Sequence, residues 1–73
     1  MNEQIYKAHV FGRNLITMTS KADRFGVLYT IIVQAASSKD YFTPYEYRNI
    51  TPQKASSLIR KMTGKTLTQY RYL

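Results

Sequence analysis

The chain has 73 residues, with eleven Lys and Arg against four Asp and Glu for a net charge of +7, and no cysteine. That length supports one small domain with a thin core, burying about 60% of its unfolded surface. A 44% hydrophobic and 14% aromatic content is too high for a disordered tail, and the missing cysteine excludes a disulfide framework, a thiolate zinc site and a cysteine nucleophile.

Residues 4–19 read as a β-hairpin. Ile5, Tyr6, Val10 and Phe11, then Leu15 to Thr19, are rich in β-branched and aromatic types, and Gly12-Arg13-Asn14 between them suits a tight turn. Residues 20–37 read as a helix. Ser20 stands at the N-cap and Asp23 at N3, and Phe25, Leu28, Ile32 and Ala35 recur at helical spacing. The run Thr30-Ile31-Ile32-Val33 is the competing strand signal.

Two Thr-Pro pairs come next, at Thr43-Pro44 and Thr51-Pro52. Each has the form of an N-cap before an N1 proline, whose preset φ suits a helix start. They predict a short helix over 44–48, a turn at Asn49-Ile50 and a second helix over 52–63. The second helix carries Ala55, Leu58, Ile59 and Met62 on one face, and Gly64 stands after it as its C′ residue. Residues 66–73 alternate as a strand, with the N-terminal hairpin as the pairing partner.

Charge is unevenly spread. Residues 1–49 hold six basic and four acidic residues, whereas residues 50–73 hold Lys54, Arg60, Lys61, Lys65 and Arg71 with no acid. Cations gathered in one part of a folded domain make a surface that attracts polyanions. Gln53, Lys54, Ser56, Ser57, Arg60 and Lys61 lie opposite the apolar face of the second helix. Gln pairs with adenine edges and Arg or Lys with guanine edges, while hydroxyls and helix N-termini hold phosphates.

The segments FGVLYTIIVQAA, TPYEYRN–ITPQKASSLIRKM and GKTLTQYRYL resemble the winged helix–turn–helix superfamily of prokaryotic and phage regulators. The resemblance covers residues 22–73. It implies an α+β fold of three helices with a small antiparallel sheet, built from the N-terminal hairpin and the C-terminal strand in one domain over 1–73. It makes the helix from Thr51 the recognition helix and starts the wing at Gly64.

The expected function is sequence-specific binding of double-stranded DNA, as a small transcriptional regulator or an accessory factor of a phage or mobile element. Thr51, Gln53, Lys54, Ser56, Ser57, Arg60, Lys61, Lys65 and Arg71 are the expected contacts. Gln53, Lys54 and Ser57 are assigned to bases, and Arg60, Lys61 and Lys65 to phosphates. A single recognition helix has a small footprint, which leaves room for a homodimer on paired half-sites. The alternative partner is an acidic site on a host protein, bound by the same basic face.

Tyr70, Arg71 and Tyr72 also form a short stacking pattern for single strands, and His9 is expected on the exposed face of the hairpin. One histidine, four scattered carboxylates and the absence of a P-loop or Gly-x-Ser-x-Gly turn argue against enzyme, metal and cofactor roles. No apolar stretch reaches the ~20 residues that span a bilayer. MNEQIYK carries no signal-peptide pattern, so a cytoplasmic, nucleoid-associated location is expected.

Overall fold

In the computed structural model, which describes residues 2–73, strands dominate the chain before Thr51 and two helices come after it. The strands are β1 (Asn2–Ile5), β2 (His9–Phe11), β3 (Asn14–Asp23), β4 (Gly26–Ala35) and β5 (Tyr45–Ile50). The helices are α1 (Pro52–Thr63) and α2 (Leu67–Arg71). All pairings are antiparallel, in the order β1-β3-β4-β5, with β2 beside the start of β3.

Two tight turns build the centre of the sheet. Gly12, at φ 63°, is the first central residue between Phe11 and Asn14, and Arg13 keeps a negative φ. A positive φ at the first central position alone belongs to the type II′ hairpin turn, which glycine occupies without strain. The expected 4–19 hairpin therefore forms, though β3 continues to Asp23. There Arg24-Phe25 makes the second turn, Asp23 accepts a hydrogen bond from the Phe25 N–H at 2.8 Å, and Gly26 takes φ 130°.

The expected winged helix–turn–helix does not form. Two α-helices and a five-stranded sheet replace three helices and a small sheet. Residues 20–37 are the end of β3, a turn and β4. Tyr29, Ile31 and Val33 are buried at alternate positions, which is the period of a strand. The apolar run also satisfies helical spacing because nearly all of its positions are apolar. The β-branched Thr30–Val33 decides the matter, since such side chains fit a pleated surface. Ser20 caps nothing; it is buried in β3, its hydroxyl 3.1 Å from that of Tyr6.

Residues 44–48 also fail to form a helix. Tyr45 to Ile50 make edge strand β5, preceded by Pro44, a position where the missing N–H leaves the ladder intact. The helix–turn–helix thus lacks its first helix. Residues 66–73 are not a strand, because Thr66 and Gln69 form a reciprocal capping box that starts α2.

The 52–63 helix stands as expected. The Thr51 hydroxyl accepts from the Lys54 N–H, Pro52 opens the helix, and Gly64 closes it in the left-handed region at φ 75°. Ala55 and Ile59 are fully buried against the sheet, and the small side chain at 55 permits close approach. The core joins Ile16, Met18, Ile31 and Val33 of the sheet to Ile59 of α1 and Tyr70 of α2. Tyr70 is 1% exposed, and its hydroxyl donates to the Ile16 carbonyl at 2.9 Å.

Burial raises the pKa of both Tyr29 and Tyr70 above 10.0, with the neighbouring Tyr6 adding to the shift at Tyr29. The folded state thus holds these protons more tightly than the unfolded chain. Their stabilising contribution is complete below pH 10 and is lost as pH rises through the raised values. Phenolate absorbance of the native protein is expected to lag that of the urea-unfolded chain on alkaline titration. Coincident curves would contradict this burial.

Candidate nucleic-acid interface

Helix α1 separates its chemistry by face. Its apolar side faces the sheet through Ala55 and Ile59, with Leu58 and Met62 half-buried beside them. Gln53, Lys54, Ser57, Arg60 and Lys61 are all exposed. The spacings 53-57-60 and 54-57-61 place these five on adjoining outward rows of one helix. Ser56 lies half-buried at the flank of this surface, and Thr51 is exposed at its N-terminal end, with its hydroxyl engaged in the cap.

The other two expected contacts lie outside the α1 rows. Lys65 is half-buried just past Gly64. Arg71 is exposed on α2, but its guanidinium lies 5.6 Å from the centre of the Tyr6 ring, which engages it in a cation–π contact. The single-strand stacking pattern does not survive, because Tyr70 points into the core while Tyr72 is 81% exposed. His9 is not on the open face either; its ring meets that of Tyr70 edge-on at 5.5 Å, beneath α2.

Electrostatics sharpen the contrast between the two layers. Glu3 pairs with Lys21 at 4.0 Å, Asp40 with Arg13 at 3.8 Å, and Glu46 with Arg48. Asp23 accepts from the hairpin backbone. All four carboxylates are therefore engaged within the strand-rich part of the chain. Among the described residues, none of the five cations after Thr51 enters an ion pair. Their field is not locally neutralised, and it is strongest at low salt.

No group of three or more His, Asp or Glu side chains that could hold a metal occurs among the described residues. No helix among them is long and apolar enough to cross a membrane. Comparison with protein-family models, with curated proteins and with solved structures finds no match.

The 52–63 helix and the exposure of its polar face are thus as the sequence predicts, within a different fold. Sequence reasoning misses the engagement of Arg71 by Tyr6, which depends on a contact across the whole chain. It also misses the helical state of α2, although Thr66-x-x-Gln69 carries the capping-box spacing.

Proposed function

We propose that the protein binds double-stranded DNA through the exposed face of α1, with the helix lying in the major groove. The observation that supports this reading most is a helix face with three cations and no carboxylate, on a chain whose acids are all engaged elsewhere. The major groove admits one α-helix. Twelve residues make about 18 Å of it, and the sheet behind it fixes its orientation.

Gln53 and Lys54, at the N-terminal end, and Ser57 one turn on would meet base edges. Arg60, Lys61 and Lys65 would neutralise phosphates. Sequence preference would come from the first group and affinity from the second. In this reading the protein serves as a small regulator or an accessory DNA-binding factor, and the helix is held by a sheet rather than by a helix–turn–helix.

A titration of the protein into a labelled mixed-sequence duplex, followed by fluorescence anisotropy at several salt concentrations, tests the reading. If ~4–6 phosphates are contacted, log K is expected to fall against log salt with a slope of roughly −4 to −5. An absence of binding at low salt would sink it and direct the search to an acidic protein.

A further inference from the structure

The two faces of the sheet have different chemistry. Both helices cover one face. The other face has no layer over it among the described residues, and register places Ile5, Val10, Leu15, Leu28 and Ile32 on it, with threonines at 17, 19 and 30. Ile5 is 75% exposed, Val10 60% and Leu28 42%. A sheet face that meets water usually alternates to polar side chains, whereas about half of these central positions are aliphatic.

Its charges cancel. Lys21 is paired with Glu3, and Arg48 with Glu46. A polyanion therefore finds little to hold on this face. In a chain of net charge +7, it is also the face on which two copies can meet with least repulsion.

Strand edges offer a poorer route to self-association. One edge is broken between β1 and β2 at residues 6–8. The other, β5, is short, and its pairing with β4 is irregular near Asn49, which has φ 54°. Such features discourage edge-to-edge pairing.

We propose that a second copy of the chain closes this face, sheet against sheet, about a two-fold axis. Only β3 and β4 run ten residues, about 33 Å; with the shorter β1, β2 and β5 beside them, strands about 4.8 Å apart give a face of roughly 520 Å². Two such faces bury about 1,050 Å², just above the ~1,000 Å² that a specific interface needs, so the dimer is a weak, reversible one. Aligned sheets pack about 10 Å apart. The two α1 faces would then point in opposite directions. Given the DNA reading above, on which this last step rests, each dimer would bridge two duplexes rather than span adjacent half-sites of one.

Sedimentation equilibrium of the protein without DNA, across the micromolar range, tests the dimer independently of any DNA binding. The wild type is expected to associate reversibly. Val10→Lys combined with Leu28→Lys, both at well-exposed positions, is expected to weaken association on the order of 100-fold by placing like charges across the axis. Lys61→Ala on the helix face is expected to leave it unchanged. Intermolecular NOEs between Leu15 and Ile32 methyls in a mixed-label sample provide a check that needs no variant. A monomer throughout, a dimer that survives both lysines with the fold intact, or NOEs confined to the helices would each overturn the proposal.

Discussion

Tyr70→Ala is expected to destabilise the protein by about 3–5 kcal/mol, the usual cost of removing a buried aromatic ring. A chain of this length has a total stability of roughly 4–11 kcal/mol, so the loss removes a large fraction of it. Tyr70 is the largest fully buried side chain. It lies 54 residues from Ile16, yet its hydroxyl bonds that carbonyl, and its ring packs on His9 and Phe11. It therefore joins the last helix to the first hairpin. Tyr70→Phe keeps the ring and removes one buried hydrogen bond, so a smaller loss of about 1–2 kcal/mol is expected. Urea melts followed by circular dichroism measure both. A Tyr70→Ala protein as stable as wild type would mean that α2 does not dock.

The Arg60→Ala, Lys61→Ala double variant is expected to bind duplex DNA roughly 30-fold more weakly near 0.15 M salt, with the salt slope reduced by about 2. Both figures come from the counterions no longer released at two phosphate contacts. The loss should be the same for every duplex sequence, because phosphates carry no base identity. Stability should hardly change, since both side chains are exposed. Lys21→Ala on the sheet serves as the control, and little change is expected there because Lys21 already has a carboxylate partner. Anisotropy titrations on several duplexes measure all of this. A loss confined to one sequence would reverse the assignment of these residues to phosphate.

Legibility of the fold in the sequence tracks the range of the interactions involved. The first hairpin and α1 are legible because their signals are local: Gly12 at a turn, Thr51-Pro52 at a helix start, and Gly64 at its end. Residues 20–37 read as helix because the continuous apolar segment within them satisfies both periods. The β-branched run Thr30–Val33 favours the strand, and pairing with β3 on one side and β5 on the other holds it. Thr43-Pro44 misleads for a related reason. The pair marks a break in the chain, and the aromatic alternation of Tyr45 and Tyr47, packed edge-on at 5.8 Å, makes the next segment a strand. Tyr70 reads as a strand residue because its role in the core comes from partners at positions 9, 11 and 16. The candidate site is more legible than the fold, because exposure of charge on α1 depends only on that helix having one buried face.

Chemical-shift mapping of the labelled protein with a short duplex locates the DNA-contacting surface. Amides of Gln53, Lys54, Ser57, Arg60 and Lys61 are expected to move in a salt-sensitive manner, while those of Thr17, Thr30 and Ile32 on the open sheet face stay in place. Shifts centred on the sheet face or on the Arg24-Phe25 turn, with α1 unmoved, would contradict DNA binding through α1.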